Sequence, residues 1–391
     1  MRPHLRLPRA VRGVVRVVVR VVTAVTTSVV AVAAVVAAVA VFALVVAGGL
    51  VLTARPAAAD PPRPTDYRSI VTGVSPTTDA VDVTIVGGDA FIELTVAPGH
   101  EVVVTGYDNE PYLRFGADGT VEENRSSPAA YVNARRFGDV AVPEGVDPQD
   151  EPDWQRVAGG GTYAWHDHRI HWMSPQPPPG VPRGDDVQQW SVLLVVDGDA
   201  VTVNGVLRYE PAASWWPWAL AAVAVAAVVW LAGRVWSRRD VLRVAGAVGG
   251  LVAVVVAAAE QLSIPDGAGR SLVRFAVPVV GLVAGAVALV AGRLGHRPQA
   301  DIAGIAAVAA VTGWAVRRLA VLSKPVLPTL LHPDLDRAGT AIALGLAGGA
   351  VALVLAGLDR PHPTPAGPDG PAPPDDTDTD TDTDAPVPDG A

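Results

Sequence analysis

Hydrophobic positions along the 391-residue chain follow three patterns in succession. A Val- and Ala-rich run occupies residues 21–52, behind six arginines in the first 20 residues. From Tyr67 to Pro211, short apolar runs with alternating polar positions are separated by turn residues, which is typical of β-strands. From residue 215 onward, long apolar runs replace the alternation and indicate membrane-spanning helices. The pattern therefore predicts a β domain followed by a helical membrane bundle.

The first 59 residues have the composition of a secretory signal. A basic region and a long apolar run end in Ala57-Ala58-Ala59, just before Asp60. This order is typical of a signal peptide cleaved after Ala59, although the length of the apolar run leaves an uncleaved signal anchor as the alternative. In either case the chain after Asp60 is expected outside the cytoplasm.

Residues 60–214 are predicted to form an all-β sandwich of the cupredoxin or immunoglobulin kind. The expected strands are 69–74, 80–86, 90–96, 101–107, 112–115, 162–168, 190–196 and 200–209. Asp197-Gly198-Asp199 joins the last two as a hairpin, and about 150 residues with this strand spacing favour an antiparallel sandwich. The long insert 118–160 includes a part, 143–154, that is rich in Asp, Glu and Pro and is expected to be an irregular surface loop.

Residues 215–360 are predicted to form a transmembrane α-helical bundle. The five apolar spans are 218–235, 244–259, 275–291, 302–316 and 339–358. Several are near the lower length limit for crossing a bilayer, so their helices must tilt or extend into the flanking residues. Glycines spaced four apart should let helices approach closely. These pairs are Gly246/Gly250, Gly281/Gly285 and Gly345/Gly349.

The basic residues between spans indicate an orientation in the plasma membrane. The loop after the first span carries Arg234, Arg238, Arg239 and Arg243. This cluster favours a cytoplasmic loop and agrees with a β domain outside the cytoplasm. The predicted outer loop 317–337 opposes the rule, with Arg317, Arg318, Lys324 and Arg337. The fourth span is therefore the weakest prediction, and without it the C-terminus would move to the other side.

The amino-acid composition excludes some kinds of metal site and some binding partners. The chain has no cysteine, which excludes disulfides, thiolate zinc sites and Cys-ligated blue-copper centres. Residues 60–214 carry 24 Asp and Glu against 10 Arg, so this region should repel nucleic acid. The membrane is the expected partner, together with other membrane or envelope proteins. The tail 361–391, rich in Pro, Asp and Thr, is expected to be disordered.

Candidate metal ligands concentrate in residues 161–173, which hold three of the eight histidines and the only methionine besides Met1. In an extended strand, His166 and His168 would point to the same face. The expected metal ligands are His166 and His168, completed by His171, His100, Asp167 or Met173. His171 can join only if the chain turns after His168. Imidazole and carboxylate without thiolate suit Cu(II) first and Zn(II) second.

Two segments resemble copper-binding families. Residues 96–115, with Pro98-Gly99-His100 leading into a Val-rich strand, resemble cupredoxin-like domains before their first metal ligand. Residues 161–168, Gly-Thr-Tyr-Ala-Trp-His-Asp-His, resemble multicopper oxidases and the exported copper-binding subunit of particulate methane monooxygenase. Tyr112 stands where cupredoxins usually place a histidine, and other His-x-His pairs are missing. The resemblance therefore implies a mononuclear copper site rather than a blue-copper or trinuclear centre.

The leading hypothesis is a membrane-anchored, extracytoplasmic copper-binding module that handles or senses the metal without catalysing a reaction. The first alternative is a metal-free interaction module of a membrane or cell-envelope complex. An enzyme with type-2-like copper would need an open coordination position. At the level of the site, one alternative to a metal centre is a hydrogen-bonded core corner in which Asp167 and Arg169 form a surface pair, and the other is proton chemistry or pH sensing by the histidines.

Overall fold

A computed structural model describes residues 60–137, 140–265, 268 and 272–358. The predicted signal segment 1–59 and the predicted acidic tail 361–391 lie outside the described residues, so both stay predictions. Within the described chain, the β region and the helices through Leu353 cluster into one compact unit.

The β region contains two antiparallel sheets. Its strands are β1 (Tyr67–Ser75), β2 (Val81–Val86), β3 (Phe91–Val96), β4 (Val102–Thr105), β5 (Pro111–Phe115), β6 (Val121–Asn124), β7 (Trp154–Ala158), β8 (Thr162–Trp165), β9 (Asp186–Val196) and β10 (Asp199–Tyr209). The larger sheet has the order β1-β10-β9-β4-β5-β6-β7, and the smaller one β2-β3-β8. The predicted antiparallel β architecture is thus confirmed, whereas a cupredoxin or immunoglobulin identity stays a prediction.

Alternation along the strands places one set of side chains in a core shared by both sheets. Leu94 of β3 and Trp165 of β8 pack in the same buried cluster as Val104, Val192 and Val203 of the larger sheet. Burying a side chain of this size contributes about 1.5–3 kcal/mol. The same burial fixes the strand register, because a slip of one residue would turn the apolar set outward.

All eight predicted strands are present, with two differences in this part of the chain. The strand predicted over 162–168 ends at Trp165. The chain turns there because the Asp167 carboxylate accepts the Arg169 backbone N–H at 3.1 Å, and Ile170 N–H donates to the Asp167 carbonyl at 3.2 Å. The insert also contains β6, β7 and the short helix α1 (Ala129–Val132), while 143–153 is irregular as predicted.

The helical region confirms all five predicted spans. Its helices are α2 (Trp216–Val235), α3 (Arg238–Leu262), α4 (Leu272–Arg293), α5 (Arg297–Arg317) and α6 (Pro333–Leu358), with a 3-10 helix at Leu319–Leu322. In the described residues five helices are long and apolar enough to cross a membrane, including the weakest prediction, α5. The helices extend beyond the apolar runs into polar flanks, which resolves the shortness of the predicted spans.

Glycines bring the helices into close contact, as their spacing predicted. A Cβ on Gly250 of α3 would lie 2.5 Å from the backbone nitrogen of Leu282 in α4. One on Gly345 of α6 would lie 2.5 Å from the carbonyl oxygen of Ala222 in α2. Larger residues at these positions would push the paired helices apart.

The β region contacts one end of the bundle directly. Thr65 and Val326 exchange two backbone hydrogen bonds of 3.0 and 3.2 Å, and Lys324 forms an ion pair with Asp66. A small buried cluster also joins the two parts, consisting of Ala90, Phe91, Ala164, Ile264 and Ala268. The last turn of α3, the first turn of α4 and the α5–α6 connection therefore lie at the β end of the bundle, and the short turns after α2 and α4 lie at the opposite end.

Candidate functional site

The turn after His168 brings three histidines together. The ring centroids of His168 and His171 lie 5.3 Å apart, and those of His166 and His171 lie 6.3 Å apart. His166 and His171 are buried, and His168 is half-buried. We call these three residues the histidine corner. The structure thus confirms the turn that His171 needed in order to join its neighbours.

His166 directs both ring nitrogens at main-chain carbonyls. Its Nδ1 contacts the carbonyl oxygen of Ala90, and its Nε2 lies 2.9 Å from that of Asp60. A neutral imidazole has one N–H and donates to one of the two oxygens at a time. Burial lowers the pKa of His166, against the two carbonyls, which raise it. The ring also stacks on Phe91 with centroids 4.3 Å apart, so it is enclosed on its edges and one face.

His168 is held by the segment that follows helix α1. Its Nε2 donates to the carbonyl oxygen of Arg135 at 2.9 Å, and its backbone N–H donates to the Tyr107 hydroxyl at 2.9 Å. That hydroxyl in turn donates to Oδ1 of Asn133. Burial raises the pKa of Tyr107, and the nearby Asp167 charge adds to the effect. The tyrosine is therefore a neutral hydrogen-bonding bridge between Asn133 and His168.

His171 is the most enclosed of the three rings. Its Nε2 lies 2.9 Å from the sulfur of Met173, and its Nδ1 has no hydrogen-bond partner among the residues that the structure describes. Burial lowers the pKa of His171 to about 2, and the positive charge of Arg136 and the two other imidazoles contribute in the same direction. The ring is therefore neutral at physiological pH.

Asp167 is occupied by Arg169 and Trp165 rather than by a histidine. Its carboxylate is fully buried and accepts bonds from Arg169 Nε at 2.7 Å and Nη2 at 2.6 Å. Trp165 Nε1–H donates to the same group at 3.1 Å. The pair expected at the surface is thus a bidentate ion pair that closes the turn, with Asp167 fully buried and Arg169 partly buried.

His100 lies apart from the histidine corner. Its Nδ1 is 2.6 Å from Oδ2 of Asp197 at the exposed β9–β10 hairpin, before the start of β4. The corner is near the other end of β4, where Arg169 donates to the Thr105 carbonyl. Five residues of extended chain separate the two places, about 16 Å at strand rise. Of the predicted ligands, His166, His168, His171, Asp167 and Met173 come together and His100 does not.

The predicted copper cofactor, with zinc as second choice, is wrong. Among the described residues, no group of three or more His, Cys, Asp or Glu side chains is arranged to hold a metal ion. The physical reason is the direction of the donors: His166 and His168 point at carbonyl oxygens, and Asp167 is neutralised by Arg169. The alternative interpretation of the histidines, a hydrogen-bonded core corner, describes this arrangement.

A second candidate site lies where the β region meets the bundle. It is a cavity of about 450 Å³ between the chain segment before β1 and the ends of α3, α4 and α5. We call it the junction pocket. Its charged lining residues are Arg63, Glu260, Arg274, Arg317 and Arg318. Sequence reasoning missed it because these residues come from four separated segments; the one available signal was the excess of basic residues in the loop after α5.

No protein-family model, no curated protein and no solved structure matches this chain. The relationship to copper-binding families that residues 96–115 and 161–168 suggest therefore stays a prediction.

Proposed function

We propose that the protein is a metal-free interaction module of a membrane or cell-envelope complex. In this proposal the bundle anchors it in the plasma membrane as a multi-pass protein, and the β region lies outside the cytoplasm. The observation that carries the proposal is a pair of exposed apolar side chains beside the histidine corner. Exposed apolar side chains that cluster on a surface are typical of places where another molecule binds.

The pair consists of Phe137 and Met173, which we call the corner patch. In the described part of the β region, large apolar side chains stay exposed at Phe137, Val142 and Met173, by 50%, 37% and 38%. Phe137 follows the segment whose carbonyl accepts the His168 bond, and the Met173 sulfur contacts His171. Both residues therefore flank the histidine corner.

The histidine corner supports the proposal by making this surface rigid. Through His166 and His168 it connects the carbonyls of Asp60, Ala90 and Arg135, which belong to three distant segments. A surface that is already ordered loses less conformational entropy when a partner binds. The histidines thus contribute to binding by shaping the surface, without contacting the partner.

Charge next to the corner patch favours a basic partner. The loop between Phe137 and Trp154 contains no Lys or Arg and carries exposed carboxylates. These include Glu144, Asp147, Asp150, Glu151 and Asp153. Arg136, which lies 5.9 Å from the Phe137 ring centroid, is itself paired with Asp89. The run of exposed carboxylates that follows Phe137 in the chain therefore attracts and orients a partner of opposite charge. We therefore propose a protein partner with apolar and basic side chains.

Basic residues at the other end of the bundle support the proposed orientation. Arg234, Arg238 and Arg239 surround the turn between α2 and α3, at the end away from the β region. A cytoplasmic location of this turn follows the positive-inside rule and leaves the β region outside. The signal-like composition of residues 1–59 points the same way.

Site-specific photo-crosslinking in intact cells tests the proposal. A photoreactive residue at Phe137 or at Met173 of the full chain should give the same discrete protein adduct. The matched control is Asp82, which is exposed on β2. Replacing Glu144 with Gln and Asp150 with Asn should lower the adduct yield several-fold, whereas Asp82→Asn should not. Equal adducts from Asp82, or none from Phe137 and Met173, would contradict an interaction surface here.

An engineered disulfide verifies that each variant is folded. Thr65 and Val326 form a hydrogen-bonded antiparallel pair, for which a Cα separation of about 5.5 Å is usual and suits a disulfide. Because the chain has no cysteine, Thr65→Cys with Val326→Cys introduces the only thiols. Disulfide formation in a variant then reports that the β region is seated on the bundle.

A further inference from the structure

The junction pocket combines surplus positive charge with an apolar wall at one end of the membrane bundle. Four arginines line it, and among the described residues Glu260 is the only carboxylate in its lining. Electrostatic attraction and repulsion connect Arg274 with Arg63, Arg317, Glu260 and Asp60, so these charges share one neighbourhood. An uncompensated group of cations in a cavity favours an anionic ligand.

Glu260 already has a partner. Arg318 donates to it through Nη1 and also to Oδ1 of Asp336 at 2.5 Å through Nη2. Arg274 Nη1 is 3.9 Å from the same glutamate, at the limit of an ion pair. Arg63 and Arg317 have no acidic partner in the part of the chain that the structure describes. Their guanidinium groups are the donors that remain for a ligand.

The basic residues of the predicted loop 317–337 also leave one arginine available to a ligand. Its four basic residues opposed the expected charge rule. Arg318 is paired with Glu260 and Asp336, Lys324 with Asp66, and Arg337 with Asp334 at 3.1 Å. Arg317 alone among the four lacks such a partner in the described residues. Three of these charges therefore stabilise the fold, and the remaining one lines the junction pocket.

The position of the junction pocket narrows the class of anion. Glu260 is near the end of α3, Arg274 near the start of α4 and Arg317 at the end of α5, all at the β end of the bundle. In a membrane-spanning bundle, this is the level of the lipid headgroups. Trp314 also lines the pocket, and tryptophan is enriched at that level.

The lining also suits a ligand with a charged and an apolar part. An apolar wall beside the arginines is formed by Ala257, Val277 and Val321. Arginine guanidinium matches the oxygens of phosphate through paired N–H donors. Arg318, stacked 5.2 Å above the Trp314 ring centroid, fixes one side of the cavity.

We infer that the junction pocket binds a phosphate group, with Arg63 and Arg317 as its free donors, and that this phosphate belongs to an anionic phospholipid of the adjoining leaflet. The site is separate from the corner patch and does not depend on the function proposed for it. Free inorganic phosphate is the other source of the same chemistry. The bound lipid would seal the contact between the β region and the bundle.

Native mass spectrometry of the delipidated full chain in detergent tests the inference. The probes are phosphatidylglycerol, phosphatidylcholine and inorganic phosphate, each titrated separately. The wild-type chain should retain phosphatidylglycerol in preference to phosphatidylcholine. Arg63→Gln with Arg317→Gln should weaken that binding by at least about tenfold, because charge-assisted hydrogen bonds to the phosphate are lost.

The matched control is Arg293→Gln with Arg297→Gln, which removes the same charge at the opposite end of the bundle, where both arginines are exposed. This control should retain wild-type binding. Phosphate that binds and competes with the lipid, with the same loss in Arg63→Gln and Arg317→Gln, supports the pocket but assigns it to the free anion. The inference is overturned if neither phosphatidylglycerol nor inorganic phosphate binds. It is also overturned if Arg63→Gln with Arg317→Gln and Arg293→Gln with Arg297→Gln lose binding equally. The engineered Thr65–Val326 disulfide shows that the tested variants retain the junction.

Discussion

The histidine corner and the junction pocket each gather side chains of one chemical type, but they present them in opposite ways. His166 and His168 direct ring nitrogens at carbonyl oxygens, and His171 is enclosed. Arg63 and Arg317 instead line an open cavity without an acidic partner among the described residues. The difference teaches that residues able to bind a ligand form a binding site only where their donors face free space. The histidine corner therefore stabilises the fold, and the junction pocket is available to a ligand.

The largest effect that this comparison predicts comes from removing Asp167. Asp167→Ala leaves the Arg169 guanidinium in the corner without its carboxylate, and removing one partner of a buried pair costs about 3–5 kcal/mol. Because Arg169 keeps 22% exposure, we expect a value near the lower limit, about 3 kcal/mol. Chemical denaturation of the full chain in detergent, followed by tryptophan fluorescence, measures the change.

The control for Asp167→Ala is Asp186→Ala. Asp186 pairs with Arg208 at 2.9 Å, but both side chains are more than 40% exposed. Exposed pairs contribute much less to stability than buried ones, so Asp186→Ala should have a far smaller effect than Asp167→Ala. Equal losses in the free energy of unfolding of both variants would contradict a stabilising role of the Asp167–Arg169 pair in the corner.

A medium effect is expected from acidification. Ordinary histidine has a pKa of about 6.5, whereas burial lowers the pKa of His166 and lowers that of His171 to about 2. Below about pH 6.5 the unfolded chain gains protons that the folded corner does not, so stability present above that pH is lost as the pH falls. One buried histidine then accounts for up to about 1.4 kcal/mol per pH unit.

Thermal unfolding midpoints of the full chain between about pH 7.5 and about pH 5 test this expectation. The midpoint should fall with acidification. The fall should be smaller in His171→Gln, which lacks a titrating ring at this position. His100→Gln, at the exposed hairpin, is the control for replacing a histidine outside the corner. An unchanged pH dependence in His171→Gln would contradict the enclosed, neutral ring.

The smallest effect is expected from the arginines of the junction pocket. Arg63→Gln with Arg317→Gln removes two exposed charges that have no acidic partner in the described chain. The free energy of unfolding of the delipidated protein should therefore change by about 0.5 kcal/mol or less. The same denaturation assay used for Asp167→Ala measures it. A loss of several kcal/mol would show that these arginines hold the fold together, as the histidines do, and the contrast between the two sites would disappear.

The fold was largely predictable because its main signals are local. Alternating apolar positions predicted eight strands, and long apolar runs predicted five helices. Strand β6 was not predicted because its sequence Val-Glu-Glu-Asn has no apolar alternation. Glu123 is nevertheless buried there, where Arg125 lies 3.0 Å from its carboxylate and burial raises its pKa against that charge. An ion pair between residues two apart in the chain thus takes the place of the hydrophobic residue that sequence patterns require.

The sequence by itself determined which side chains lie near one another in the corner, since a short segment carries His166, His168 and His171. It also determined where the chain can cross a membrane. Only the tertiary structure decided what those histidines face, because the carbonyls of Asp60, Ala90 and Arg135 arrive from distant parts of the chain. It likewise decided that Arg63 and Arg317 share one cavity. Proximity along the chain is a local property, whereas the direction of a donor depends on every segment packed around it.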